Sequence, residues 1–523
     1  MDLENLEPRK VLHYFKEIAA IPHGSGNILK ISDHIATFAK AHGLSYVQDE
    51  MGNVVICKPG QGCSEAAPVV MLQGHMDMVC EKEEDCDLDM ETEGLRLVLT
   101  ERKNLDYLMD RPGGLLKWQK EEDPILIAEG TTLGADDGIA VAMMMAVLES
   151  DTIVHPPLEC VFTVDEEIGL LGAEGLDKTG LKSRMMINLD SEDEGHMLTG
   201  CAGGCTTRIT LPVTREAGSD PEQKSYVISV SGLLGGHSGQ EIDRGRANAI
   251  MLLGRYLDRL FDNDYQRCGL VLVKGGSKDN AIPRNAAAEL LLSASEAERA
   301  GQLAAELEGI VRGEYGAQDP DIRVTFSEGT ISEGAISEKT PSENGQLPMA
   351  PAATERVISL LRLLPDGLQK MSFDVPGLVE TSLNIGILTT DAAAVTVKLM
   401  ARSNVNSEKE DLVRRIWSIA RVLGAEVEDE ADYPAWEYCK VSKLREVFSE
   451  CFQEQYHEPM IMEAIHAGVE CGLFTTGMPG LDAVSIGPQL TDIHTPREAM
   501  DIPSVERTWK LVLKVLEELA GQE

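Results

Sequence analysis

Residues 158–164 are apolar almost throughout and stop at three consecutive acids, Asp165, Glu166 and Glu167. A run of this length reads as a buried strand, and three carboxylates at its end repel one another unless a cation holds them. The same arrangement recurs along the chain. Residues 67–73 run into Gly74-His75-Met76-Asp77, Leu133 into Gly134-Ala135-Asp136-Asp137-Gly138, and residues 184–189 into Asp190, while residues 482–487 lead through a short loop to His494. In open α/β sheets ligands bind outside the carboxyl ends of the strands, so the pattern predicts strands that deliver histidines and carboxylates to one pocket. Two histidines with several carboxylates and no thiolate suit a pair of zinc, cobalt or manganese ions better than a structural zinc knot.

A chain of 523 residues exceeds what one core usually serves, which predicts two or more domains. The formal net charge of −40 disfavours nucleic acid and anionic membranes as partners and favours cationic ligands, although an acidic solvated surface accounts for it most simply. Eleven cysteines without a CxxC pair fit reduced thiols in cytosol rather than disulfides. Cys201 and Cys205 flank a glycine pair, where a hinge turn explains the spacing at least as well as metal binding. Residues 1–10 are charged and lack an apolar signal region, and no stretch is long enough to span a bilayer, so a cytoplasmic location is expected.

Helical spacing covers residues 6–20 and 28–42, and residues 45–58 alternate like a hairpin around Met51-Gly52-Asn53. A polar, acid-rich stretch follows between Cys80 and Glu129, with 81–93 read as a surface excursion. Residues 137–149 form a helix whose Met143-Met144-Met145 run reads as core packing. From about residue 206 a weak repeat appears. One copy has helices at 247–260 and 297–311 with strands at 269–274, 286–292 and 322–326; the other has helices at 354–364 and 409–423 with strands at 383–388, 394–400 and 425–427. Ser295-x-x-Glu298 and Ser407-x-x-Glu410 read as capping boxes at the second helix of each copy. The Gly/Ser/Glu-rich stretch 328–345 reads as the connector between copies. The expected fold is α/β with two domains: a catalytic α/β domain, 1–205 and 434–523, whose mixed central sheet is flanked by helices, and an inserted α+β lid domain, 206–433, made of two ferredoxin-like repeats at about 225–327 and 350–433.

His75-Met76-Asp77, Gly134-Ala135-Asp136-Asp137-Gly138, Asp165-Glu166-Glu167, Asn188-Leu189-Asp190 and His494-Thr495-Pro496 resemble, in order, the motif set of the M20 metallopeptidases. The doubled lid and the segment Ile465-His-Ala-Gly-Val-Glu-Cys-Gly472 resemble the aminoacyl-histidine dipeptidases within that group, and the likeness spans nearly the whole chain. Taken singly, Asp136 or Asp137 reads equally well as a helix cap, Asp77 as a turn residue and His494 as a surface histidine; their joint occurrence carries the resemblance. It implies two divalent ions, zinc before cobalt or manganese, with His75 and either Glu167 or Asp190 on separate ions, Asp136 bridging both and His494 completing the second site. Asp77 would fix the tautomer of His75 through its ring N–H, and the Asp136–Asp137 peptide would be cis.

The resemblance further implies Glu166 as general base, His237 in Gly235-Gly-His-Ser-Gly239 as oxyanion donor, and Arg402 with Asn280 as partners of a substrate carboxylate. Glu470 and His466 stand as candidates for lining the substrate amine pocket, with a structural role as the equal alternative. A serine nucleophile at Ser238 does not fit, because the glycine two places after it is missing. The expected activity is hydrolysis of short unblocked peptides, Xaa-His or β-alanyl-histidine among them. A tripeptide aminopeptidase, an N-acyl amino acid amidohydrolase and a non-catalytic peptide-binding homologue are the alternatives. A homodimer is compatible with these readings.

Overall fold

The computed structural model describes residues 3–109, 118–217, 222–331 and 347–521. It separates into two compact units, one of Met1–Gly200, Tyr438–Ala464 and Val469–Glu523, the other of Cys201–Glu437 and Ile465–Gly468.

In the first unit the described residues form an eight-stranded mixed sheet, ordered Ser45–Gln48, Val54–Lys58, Leu158–Thr163, Val70–His75, Met185–Asn188, Asp482–Ser485, His196–Cys201 and Ile461–Ile465. The four strands from Leu158–Thr163 to Asp482–Ser485 run parallel. Leu158–Thr163 and Val70–His75 are buried at every residue, which explains why their sequences are continuous apolar runs rather than alternating ones. The hairpin expected at 45–58 forms, pairing Ser45 with Cys57. Helix Ala135–Glu149 is buried along nearly its whole length, its three methionines included, and so needs no polar face. It reaches the sheet at Gly74, where a Cβ would stand 2.8 Å from the Ala140 Cβ. Any larger residue there would push the helix away from the strand that ends in His75.

The acid-rich stretch between Cys80 and Glu129 is not all surface. It supplies Leu97–Glu101 and Pro124–Ala128, which join Ala499–Asp501 and Leu490–Thr491 in a four-stranded antiparallel sheet.

Among the described residues the second unit is built on one nine-stranded sheet, and its topology departs from the expected repeat. The first copy has strand order Arg323–Glu328, Lys224–Ser231, Ala286–Leu292, Gly269–Gly275; the second has Val379–Thr390, Ala394–Ser403, Gly203–Pro212, Glu426–Tyr433. Each is the four-strand antiparallel order of a split β-α-β unit. The second copy, however, takes its first strand from Gly203–Pro212, upstream of the whole first copy, so the first copy is inserted into the second. Residues 350–433 therefore do not hold a complete repeat. The same strand explains the division at 200/201 instead of 205/206: Gly203, Gly204 and Cys205 pair with Ser403, Arg402 and Ala401 within this sheet. Cys201 and Cys205 consequently lie in extended, buried backbone and not in a hinge turn.

Neither capping box forms where expected. Helix Ala294–Tyr315 is capped by Ser293, whose Oγ accepts from the Glu296 amide, so the Ser-x-x-Glu frame sits two residues earlier than expected. Helix Asn406–Val422 begins after Val405 with no side-chain cap, which places Ser407 inside its first turn. Of the connector at 328–345, residues 332–345 lie outside the described residues.

Candidate metal centre

The parallel strands of the first unit deliver their ends to one place. His75 closes its strand, Asp165-Glu166-Glu167 follows Leu158–Thr163, and Asp190 follows Met185–Asn188. His494 arrives from the loop beyond Leu490–Thr491 with a left-handed backbone (φ 59°), and Asp165 is also left-handed (φ 53°). Such conformations cost about 1–3 kcal/mol in a non-glycine residue and persist where the surroundings over-determine them.

His75 Nε2 lies 3.2 Å from Asp136 Oδ1 and 3.5 Å from Asp190 Oδ1. His494 Nε2 lies 3.0 Å from Asp136 Oδ2 and 2.8 Å from Glu167 Oε1. Asp136 thus turns one oxygen to each histidine, with Asp190 beside His75 and Glu167 beside His494. Ligand-type atoms of His75, Asp136 and Glu167, and of His75, Asp137 and Asp190, come within 4.8 Å of one another, which makes this a possible metal site. The Asp136–Asp137 peptide is cis.

The electrostatics call for positive charge. Burial alone would lower the His75 imidazole, but Asp190, Asp136 and Asp77 raise it well above its ordinary value. His494 is pushed up to about 11 by Asp136 and Glu167 against the same effect of burial. Asp190 is pushed up to about 6 by burial, with Asp136 and Glu167 adding to it. Glu166 is raised well above the usual carboxylate range by burial and by Asp190, Glu470 and Glu167, with His75 pulling the other way. Carboxylates so crowded outnumber the two imidazoles, and buried charge of one sign is costly unless a counter-ion is bound. Imidazole and carboxylate donors without thiolate fit zinc, cobalt or manganese.

Asp77 acts on both sides of the cluster. The near acceptor for His75 Nδ1 is the Asp77 backbone carbonyl at 2.9 Å, with carboxylate Oδ1 at 3.4 Å. The carboxylate mainly accepts from the Glu166 amide at 3.0 Å and from Ser25 Oγ at 2.8 Å. The carboxylate therefore holds the Glu166 backbone, while the Asp77 carbonyl is the nearer partner of the His75 ring.

Sequence reasoning missed Glu498. Its Oε2 accepts from the amides of Leu133 and Gly134 at 2.7 and 2.9 Å, and its Oε1 from those of Ala135 and Asp136 at 2.8 and 3.2 Å. One buried carboxylate thus gathers the amides of the turn that presents Asp136, while burial and Asp136 push it up to about 7. Glu498 follows His494 by four residues, and the amide-rich turn opposite it was the available signal.

Glu470 is fully buried in the first unit. Its Oε2 accepts from Gln73 Nε2 at 2.5 Å and Thr163 Oγ1 at 2.7 Å, whereas Oε1 has no partner among the described residues. Burial, reinforced by Asp190 and Asp77, pushes it up to about 7.

The remaining sequence candidates belong to the second unit. His237 Nδ1 accepts from the amides of Gly239 and Gln240 at 3.3 and 3.2 Å, which puts the ring proton on Nε2 and leaves a donor there. Burial and Arg402 lower its pKa, so the ring is neutral. Asn280 is exposed, and Asn384 holds its loop by donating to the Asp279 and Ala281 carbonyls. Arg402 is buried; its Nη1 donates to Tyr433 Oη at 2.9 Å and its Nε has no partner among the described residues. His466 has both ring nitrogens engaged, with Ser382 Oγ at 2.7 Å and Asn404 Oδ1 at 3.1 Å, and burial helped by Arg402 and His237 lowers it to about 3.

The family model described as Peptidase family M20/M25/M40 matches residues 112–518. The chain is 32% identical to the cytosol non-specific dipeptidase of Escherichia coli (strain K12) over the full length of both. It is similar to the crystal structure of an aminoacylhistidine dipeptidase from Vibrio alginolyticus, with TM-score 0.85, 33% identity and coverage of 100% of this chain and 99% of that one. A tripeptidase from Staphylococcus aureus shares the fold alone, at TM-score 0.53 and 16% identity, covering 99% of this chain and all of that one. With the ordered motifs and a full-length relative in agreement, the chain is a member of the M20/M25/M40 peptidase family.

Proposed function

We propose that this peptidase hydrolyses unblocked dipeptides, Xaa-His and β-alanyl-histidine among them, with two divalent ions, most simply zinc. The observation that carries the reading is Asp136, whose two oxygens face His75 and His494 separately. His75 and Asp190 would hold one ion, His494 and Glu167 the other, and Asp136 would be shared. Ions so held supply the charge that acidifies water and polarises a peptide carbonyl.

The protein's own groups do the rest. Glu166 takes a proton from the attacking water and delivers it to the departing amine; its raised affinity for protons suits both transfers. His237 donates its Nε2–H to the oxyanion. Arg402 pairs with the substrate carboxylate, as its buried and partly unpartnered guanidinium supports, and Asn280 assists. Glu470 Oε1, buried without a partner among the described residues, is assigned to the substrate ammonium. His466 has no free nitrogen for that task and is left as a wall.

The names of the relatives in Escherichia coli and Vibrio alginolyticus support a dipeptidase acting in cytosol. No helix among the described residues is long and apolar enough to cross a membrane. Product analysis over dipeptides, tripeptides and N-acyl amino acids, with metal-free protein reloaded with zinc, cobalt or manganese, tests the reading. Metal-dependent cleavage confined to free dipeptides is expected; a preference for tripeptides or acylated amino acids would replace it with one of those activities. Arg402→Ala is expected to raise KM for dipeptides by about 10–100-fold, the value of one charge-assisted pair, and to leave carboxyl-amidated analogues little changed.

A further inference from the structure

Four residues of the second unit form a row across neighbouring strands: Ser382 opposite Arg402, Arg402 opposite Gly204, and Gly204 opposite Tyr433. Directly opposed residues of an antiparallel sheet point to the same face, and Gly204 leaves a gap in this row. The Tyr433 ring fills it. A Cβ on Gly204 would stand 2.5 Å from Tyr433 Cζ and Oη, and one on Gly468 would stand 2.7 Å from Cε2, so two glycines make room for the phenol. The residue is also tied by its backbone, since Lys409 Nζ donates to the Tyr433 carbonyl at 2.5 Å. Leaning over Gly204, the hydroxyl accepts from Arg402 Nη1 at 2.9 Å.

A guanidinium binds carboxylate best through two parallel N–H groups. Nε–H and the N–H of Nη2 beside it form such a fork, along an edge of the planar guanidinium that does not include Nη1. Tying Nη1 to Tyr433 fixes the rotation of the group and leaves Nε, which is buried without a partner among the described residues, to the ligand. We propose that Tyr433 is a positioning residue for Arg402 and thereby sets the preference for substrates with a free terminal carboxylate. This inference rests on Arg402 as the carboxylate partner.

Tyr433→Phe keeps the ring in its slot and removes the oxygen that holds Nη1. KM for free dipeptides is expected to rise roughly tenfold, the effect of one hydrogen bond to a charged group. KM for carboxyl-amidated dipeptides should stay put, as should the melting temperature. A rise in KM of equal size for both substrate types, or for neither, would overturn the role. Arg402→Ala measured alongside separates the two readings. If it discriminates between free and amidated substrates and Tyr433→Phe does not, the positioning role alone falls; if it does not discriminate, the carboxylate pairing falls and this inference with it.

Discussion

Glu166→Gln is expected to lower kcat for dipeptide hydrolysis by about 10²–10⁴-fold, the range general acid–base catalysis supplies, with metal content unchanged. The amide keeps the size of the side chain and cannot take a proton from water. Glu166 stands apart from the contacts that join His75, Asp136, Asp190, Glu167 and His494, so its loss leaves the proposed ligands in place. Its backbone is held independently, through its amide on the Asp77 carboxylate. Elemental analysis and steady-state kinetics on the same preparation check this. A variant that kept both its metal and its turnover would remove Glu166 from the proton path.

The second large effect belongs to Glu498. Glu498→Ala is expected to weaken zinc binding by about 10–100-fold, the usual cost of losing a group that orients a metal ligand, and to destabilise the metal-free protein as well. Four amides, those of Leu133, Gly134, Ala135 and Asp136, lose their shared acceptor inside the protein. Each buried unsatisfied donor costs about 1–3 kcal/mol, and the turn relaxes to reduce that cost. Relaxation moves Asp136, the residue whose two oxygens must face two histidines. Calorimetric titration with zinc, beside thermal melting of the metal-free protein, separates the two consequences. Native affinity in a destabilised variant would mean that Glu498 supports the fold and does not place Asp136.

Much of the first unit is legible in the chain because burial on both sheet faces leaves a continuous apolar signal. The runs at 158–164, 67–73, 184–189 and 482–487 each contain an observed strand or most of one, with His75, the Asp165-Glu166-Glu167 acids and Asp190 at or just beyond their carboxyl ends. Helices at 6–20 and 28–42 were readable in the same way, from periodicity. Cap positions were less so: Ser293 and Ser295 both stand before a glutamate three residues on, and only the backbone path decides which hydroxyl meets the amide. The second unit misleads more deeply. A strand carries no label for its partner, so nothing local in Gly203–Pro212 says that it pairs with Ala394–Ser403 on the far side of an inserted repeat.

The chemistry divides along the same line. Residue type and strand-end position are local properties, and from them, with the resemblance its ordered motifs carry, the sequence by itself pointed to the candidate donor set, the proposed base and the family. Which carboxylate stands beside which histidine, the amide-gathering role of Glu498 and the row Ser382–Arg402–Gly204–Tyr433 were decided by tertiary structure alone. Each depends on distances of a few ångströms between segments far apart in the chain, and those distances are set by sheet order and register, which residue identity does not encode locally.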